Sequence, residues 1–269
     1  MRNSQLFRAT ALVLLFLLVS FLSAQEAKDD SSNTIAAYAV AKGKLTLDSE
    51  YPVTAPDKKD QATIWKAVTT LVPPALLNLV TRLEFFEVPE SDAATETDGW
   101  ALQSDDSQSF TLGLSITSAK LAFVDRDEQG LPEFEQTIIH EFGHVLSFRA
   151  SQMDENATGT LQIEEGTLKS DGYLNVFYEK FWKKTYPKHG TDATSDEEGT
   201  KLYLTAPASF VSEYAATGPL EDFAESFAWF VTNDKPKGKD LKDQKVLQFY
   251  AWPELTGFRD QFRKGLASL

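Results

Sequence analysis

In this chain, segments with the alternating pattern of strands come first, and segments with the spacing of helices follow them. Runs typical of strands dominate the first part, and the segments predicted as strands are 44–47 within the extended stretch 36–53, then 83–88, 100–103, 110–116 and 121–124. Segments with helical spacing dominate the second part. Strands followed by helices indicate an α+β domain.

Helices are predicted at 64–71, 132–149, 173–186, 220–231 and 246–266, and the segment 76–79 is a candidate start of another. Pro132 suits the first position of its helix, and Glu133 and Glu135 fall in the first turn, where the helix dipole favours acidic side chains. The segment 187–199 is polar and acidic, and 233–245 contains five lysines. Both are predicted to be solvated loops.

The first residues have the character of a secretory signal. Arg2 and Arg8 precede the apolar run 11–22, which is far shorter than the ~20 residues of a membrane-spanning helix, and the small residues Ser23 and Ala24 follow. We therefore predict a signal peptide at 1–24, with cleavage near Ala27 or an uncleaved anchor as alternatives. Cleavage leads to a secreted, periplasmic or extracellular protein with no stable membrane insertion.

The rest of the chain is predicted to be a disordered tether at 25–35 and a single domain at 36–269. An exported chain without cysteine favours a bacterial source. The net charge of −14 makes nucleic acid an unfavourable partner, because phosphates attract basic surfaces. Nothing in the sequence indicates the oligomeric state.

The absence of cysteine also excludes thiolate metal sites and a cysteine nucleophile, so any metal must be held by histidine or carboxylate. Two of the three histidines, His140 and His144, lie four positions apart in the pattern His-Glu-x-x-His. On a helix both imidazoles face the same side and can bind one Zn²⁺. Glu141 is then placed to act as the general base of a hydrolase.

A catalytic zinc ion usually has three protein ligands. A metzincin would place histidine at position 150, which is Ala150 here, and His189 lies in a polar loop. A carboxylate from a second helix is therefore expected. Glu221 and Glu225 are four residues apart on one predicted helical face beside aromatic residues, so one can bind the metal while the other orients a ligand histidine. Spacing alone leaves their roles open.

The HExxH segment, the triplet Ser212-Glu213-Tyr214 and the segment 221–227 together resemble the gluzincin metallopeptidases related to anthrax lethal factor and the clostridial Pro-Pro endopeptidases. In that group a tyrosine lies seven positions before the ligand glutamate, and a second glutamate lies four positions after it. The resemblance implies that Glu221 is the third zinc ligand and that Glu225 accepts the outer N–H of a ligand histidine. It also implies that the phenol of Tyr214 binds the developing oxyanion.

The resemblance further implies a zincin-like domain, with a small mixed sheet whose edge strand lies above the active-site helix and a mainly helical C-terminal part. An edge strand of this kind pairs with extended substrate, and 110–116 and 121–124 are the two candidates for it. The chain departs from the group by a long insertion at about 150–210. This insertion leaves specificity open and also allows Glu225 to be the ligand instead of Glu221.

These features predict a secreted endopeptidase with one catalytic Zn²⁺ and a protein or peptide substrate. Two alternatives remain open on the sequence. One is an exported adhesion or interaction module with a zinc site but no activity. The other is a zinc hydrolase of cell-wall peptide cross-links.

Overall fold

A computed structural model describes residues 33–88, 98–104, 108–187, 189 and 195–269. The predicted signal peptide and most of the predicted tether lie outside the described residues. The first strand begins at Thr34, so the last two residues of the predicted tether belong to the folded domain.

A five-stranded mixed sheet forms the first half of the domain. In chain order its strands are β1 (Thr34–Ala41), β2 (Lys44–Leu47), β3 (Val80–Phe86), β4 (Gly99–Gln103) and β5 (Phe110–Ser115). Their order in the sheet is β2-β1-β3-β5-β4. Strands β3 and β5 are parallel, and the other neighbouring pairs are antiparallel.

The edge strand next to the helices is β4. The two segments predicted as candidates for this edge strand, 110–116 and 121–124, both lie elsewhere. Strand β5 pairs with β3 on one side and β4 on the other, so the segment 110–116 lies inside the sheet. The segment 121–124 is not a strand, because it falls at the end of a helix that runs from Ile116 to Phe123. The side chain of Ser115 caps this helix by accepting a hydrogen bond from the backbone N–H of Ser118.

Nine helices are present in the described part of the chain: α1 (Ala55–Leu71), α2 (Pro74–Leu77), α3 (Ile116–Phe123), α4 (Gly130–Phe148), α5 (Tyr173–Phe181), α6 (Asp196–Thr205), α7 (Pro219–Thr232), α8 (Leu241–Phe249) and α9 (Pro253–Leu266). Between α4 and α5 lies a short hairpin, β6 (Gln162–Ile163) and β7 (Gly166–Thr167). A small mixed sheet followed by a mainly helical part confirms the predicted α+β class.

Four predicted boundaries are wrong in the second half of the chain. The predicted helix 173–186 ends at Phe181. Helix α6 begins inside the predicted loop 187–199, where Ser195 caps it by accepting a hydrogen bond from the backbone N–H of Glu198. Helix α8 begins inside the predicted lysine-rich loop 233–245. The predicted helix 246–266 is divided into α8 and α9, because the chain turns between Phe249 and Pro253.

One continuous core connects the sheet with α4, α7 and the terminal helices. Its fully buried members include Leu83, Phe85, Leu112, Leu114, Ile138, Phe142, Phe223, Phe227, Phe249 and Phe262. Helix α7 is central to it, and only a few of its side chains reach solvent. Within the described ranges, no helix has both the length and the apolar character needed to cross a membrane.

Two arginines of α9 satisfy the last carbonyl groups of α7, which have no partners inside the helix. Arg259 donates to the carbonyls of Phe230 and Asn233 at 2.6 and 2.9 Å. Arg263 donates to the carbonyl of Val231 at 3.1 Å. Positive charge at a helix C-terminus is also favoured by the helix dipole, so these contacts fix the position of α7 against α9.

Candidate metal centre

Helices α4 and α7 cross closely at Gly143, the fourth residue of the HExxH segment. A methyl group added at Gly143 would lie 2.9 Å from Cα of Ala224 and 3.3 Å from its Cβ. These distances leave no room for a larger residue unless the helices separate. The glycine therefore allows the acidic face of α7 to approach the histidines of α4.

Three of the predicted residues meet at this crossing. His140 and His144 point their Nε2 atoms toward each other at 3.1 Å. Oε2 of Glu221 lies 3.2 Å from Nε2 of His140 and 3.4 Å from Nε2 of His144. Both imidazoles are buried, and the three side chains form a cluster able to hold a metal ion.

The triangle of these three atoms has the dimensions of a zinc site. Ligand atoms at ~2.0–2.1 Å from a tetrahedral Zn²⁺ stand about 3.3 Å from each other. The three observed separations range from 3.1 to 3.4 Å. In addition, Oε2 of Glu221 is buried and makes no hydrogen bond within the described chain. A buried carboxylate oxygen without a donor is costly unless a cation is bound there, so these residues fit a metal ion.

Glu225 lies one turn after Glu221 and contacts the opposite side of the His140 ring. Nδ1 of His140 donates a hydrogen bond to Oε1 of Glu225 at 2.7 Å. Oε2 of Glu225 accepts a hydrogen bond from Oγ of Ser212 at 2.6 Å. This arrangement leaves Nε2 of His140 unprotonated in the neutral ring, as a metal ligand requires.

His144 is held differently from His140. Its ring stacks on Phe148, with a centroid distance of 5.4 Å and an angle of 28°. Its Nδ1 atom is buried and has no hydrogen-bond partner in the part of the chain that the structure describes. Packing therefore orients this ring, whereas a carboxylate orients His140.

Glu141 is 5% exposed and lies beneath the edge strand. A methyl group added at Gly99 of β4 would be 3.3 Å from Cγ of Glu141 and 3.1 Å from Cγ2 of Thr137. At the other end of β4, Nε2 of Gln103 donates to the carbonyl of Phe148 at 2.7 Å. Strand β4 thus runs along α4 past the HExxH segment, and Gly99 allows this close approach.

Tyr214 begins a 3₁₀ turn, Tyr214–Ala216, that precedes α7. Its ring centroid lies 5.8 Å from that of His140, and half of the side chain is exposed. Burial of its polar end, together with the negative charges of Glu221 and Glu141, raises the pKa of Tyr214. The phenol therefore stays protonated and can donate a hydrogen bond next to Glu221.

The electrostatics of the centre favour a cation. Burial alone would lower the pKa of His140, but the adjacent carboxylate of Glu221 and the hydrogen bond with Glu225 raise it well above its usual value. Burial alone would raise the pKa of Glu221, but the charge of His144 and the close contacts of the carboxylate with both imidazoles lower it. Burial raises the pKa of Glu141. The carboxylates that favour a proton on His140 would equally favour a metal ion, which displaces that proton when it binds.

Some residues of the centre were not singled out by the sequence. In the sequence, Ser212 is only one residue of a motif. Gly99 and Gly143 allow close contacts of α4 with β4 and with α7, and these contacts are seen only in the folded structure. A serine two positions before the tyrosine was the one available signal for the contact with Glu225. The third histidine, His189, packs instead against Trp182 and Tyr186, at centroid distances of 6.2 and 6.0 Å.

No known family model matches this chain, and no curated protein matches it. Among solved structures, it is similar to a chain described as a "putative zinc-binding metallo-peptidase" from Bacteroides caccae. The two are 19% identical, the match covers 78% of this chain and 74% of the other, and the TM-score is 0.39. A similarity this distant identifies neither family nor activity, so the chemistry has to be inferred from the residues of the centre.

Proposed function

We propose that this protein is a secreted zinc-dependent endopeptidase with one catalytic Zn²⁺ held by His140, His144 and Glu221. The observation that carries this proposal is the triangle of two imidazole nitrogens and one carboxylate oxygen, with sides of 3.1 to 3.4 Å, beside the buried carboxylate of Glu141. When bound, Zn²⁺ supplies a Lewis acid and lowers the pKa of a water ligand to about 7.

The chain's own residues then have separate tasks. Glu141 accepts a proton from the attacking water and delivers it to the leaving amine. The protonated phenol of Tyr214 donates a hydrogen bond to the oxygen that becomes negative as the carbonyl carbon turns tetrahedral. Glu225 holds His140 in the tautomer that presents Nε2 to the metal.

The edge strand supports a peptide as the substrate. Strand β4 is paired on one side only within the described sheet, and it passes Glu141 at Gly99. An extended peptide that adds to this edge forms backbone hydrogen bonds regardless of its side chains. Such a peptide would lie along α4, with its backbone next to the general base.

The decisive test replaces Glu141 with glutamine, which keeps the shape of the side chain but cannot accept the proton. Glu141→Gln is expected to bind one equivalent of zinc by elemental analysis and to lose peptide hydrolysis by at least ~100-fold. The assays would compare unfolded casein with peptidoglycan, since preferential cleavage of cell-wall cross-links would change the substrate class. Zinc binding by wild-type protein without turnover of any substrate would contradict the endopeptidase and favour an interaction module.

A second experiment separates the two carboxylates of α7. Glu221→Ala should lose stoichiometric zinc, because it removes an atom of the triangle. Glu225→Ala should keep zinc with an affinity reduced roughly 10- to 100-fold, because only the orientation of His140 is lost. Dialysis against a chelator of known affinity measures both. If Glu225→Ala loses zinc and Glu221→Ala keeps it, Glu225 is the metal ligand and Glu221 is not.

A further inference from the structure

The side chain of Ser212 lies between two parts of the centre. Its Oγ donates a hydrogen bond to Oε2 of Glu225 at 2.6 Å. The same oxygen accepts a hydrogen bond from the backbone N–H of Ala215 at 3.0 Å. A hydroxyl group has one donor and two acceptor sites, so both bonds form together.

The first bond acts on the metal side. Glu225 has two carboxylate oxygens, of which one accepts from Nδ1 of His140 at 2.7 Å and the other from Ser212. With Ser212 in place, both oxygens are engaged and the carboxylate plane is fixed relative to the imidazole. Without the hydroxyl, the carboxylate can rotate away from His140.

The second bond acts on the substrate side. Ala215 is the middle residue of the 3₁₀ turn that begins with Tyr214. The hydroxyl of Ser212 satisfies a backbone N–H at the start of this turn, as a capping side chain does at the start of a helix. A second hydroxyl, that of Thr217, donates to the carbonyl of Tyr214 at 2.8 Å and supports the turn from its other end. The position of the phenol next to His140 therefore depends on the turn that Ser212 caps.

We infer that Ser212 is a positioning residue that couples the orientation of His140, through Glu225, to the placement of the Tyr214 phenol. The inference deepens the proposed function and rests on it for its effect on hydrolysis. The expected effect of Ser212 on zinc affinity does not depend on the endopeptidase activity. Because the bond to Glu225 is made by a proton that Ser212 donates, and the bond to Ala215 by a lone pair, each strengthens the other.

The test uses the full chain with Ser212→Ala, Ser212→Thr and a matched control, Ser226→Ala. Ser226 also donates to a buried carboxylate on α7, that of Asp222 at 3.3 Å, but the other partners of this carboxylate are Trp182 and Lys245. Zn²⁺ itself is the probe, titrated against a chelator of known affinity, and kcat and KM are measured on an unfolded-protein substrate.

Ser212→Ala is expected to weaken zinc binding roughly tenfold, at the low end of what outer hydrogen-bond partners contribute. It should also lower kcat roughly tenfold, with KM within about twofold of wild type, because the phenol acts on the transition state. Ser212→Thr keeps the hydroxyl and should restore both quantities. Ser226→Ala should leave zinc affinity unchanged. In a Glu225→Ala background, Ser212→Ala should cause no further loss of zinc affinity.

Three results would overturn the inference: unchanged zinc affinity and kcat in Ser212→Ala, no rescue by threonine, or additive losses of zinc affinity with Glu225→Ala. If Ser212→Ala does not fold, Ser212→Cys keeps the shape with a much weaker donor and takes its place, with the same expected losses. If wild-type protein binds zinc but hydrolyses nothing, the endopeptidase proposal fails. The zinc titrations then decide the role of Ser212 by themselves.

Discussion

At the scale of single residues, Gly143 has the largest effect on the geometry of the centre. It contributes no functional group, yet it lies where α4 and α7 are in backbone contact. The two histidines and two glutamates approach each other only because this position has no side chain. Glycine in the middle of a helix costs about 1 kcal/mol relative to alanine, and the close helix crossing offsets that cost.

We predict that Gly143→Ala destabilises the protein by about 1–3 kcal/mol, as overpacking does in other cores. Because the helices must separate, zinc affinity should fall as well. The matched control is Gly257→Ala, since a methyl group at Gly257 in α9 has nothing within 4 Å and should stabilise the protein by about 0.5–1 kcal/mol. Urea unfolding and zinc titration measure both variants. A Gly143→Ala protein as stable as wild type would show that the crossing is not tight.

At the scale of elements, one ion pair connects the ends of three helices. Arg149, directly after α4, donates two hydrogen bonds to Glu254 in the first turn of α9, at 3.1 and 2.6 Å. The hydroxyl of Tyr173, the first residue of α5, donates to the same carboxylate. Burial and the bond to Glu254 raise the pKa of Tyr173 to about 12.

The hydrogen bond from Arg149 lowers the pKa of Glu254 below its usual value. Its ionised form is therefore favoured by folding, and the resulting stability is present above the unfolded pKa of about 4.3. It is lost as the pH falls through the folded pKa. Because the carboxylate is partly exposed, we expect less than about 1 kcal/mol.

The measurement compares wild type with Glu254→Gln by urea unfolding from pH 7 to pH 3. The difference in unfolding free energy should be constant above about pH 5 and shrink below pH 4.3. A difference that grows as the pH falls would contradict the ionised pair.

The success of sequence prediction also varies by element. Helices α4 and α7 were predicted because their apolar residues recur with helical spacing over three or more turns. The run Leu121–Val124 was assigned to a strand because four apolar residues are too few to show a period. Helix α6 is largely polar, so its conformation depends on its Ser195 cap and on packing against the Tyr214 turn. The identity of the edge strand depends on strand order, which the sequence does not show.

At the scale of the whole molecule, a buried ion pair joins α7 to the long insertion and to the C-terminal helices. Asp222 and Lys245 are fully buried, 2.6 Å apart. Asp222 also accepts a hydrogen bond from Nε1 of Trp182 at 2.6 Å, and Nζ of Lys245 donates to the carbonyl of Ser209 at 2.7 Å. Lys245 was predicted to lie in a solvated loop because lysine is rarely buried without a partner, and the sequence does not reveal that Asp222 is its partner.

We predict that Lys245→Met costs about 3–5 kcal/mol of stability, because it leaves a buried carboxylate without its cation. The double variant Asp222→Asn with Lys245→Met should recover much of that loss, since two neutral groups of similar size need no charge compensation. Urea unfolding of the zinc-free proteins measures both. If the double variant is as unstable as the single one, packing by the lysine stem dominates over the charge.

The separation of α4 and α7 along the chain has a consequence for the order of folding. From His144 to Glu221 is 221 − 144 = 77 positions, and closing a loop of that length costs entropy before any contact across it is gained. An unfolded chain presents only the local histidine pair to a metal ion. In the proposed site, Glu221 reaches that pair only where α7 is packed against α4. If the two helices dock after the folding transition state, bound zinc is expected mainly to slow unfolding and to leave the folding rate nearly unchanged.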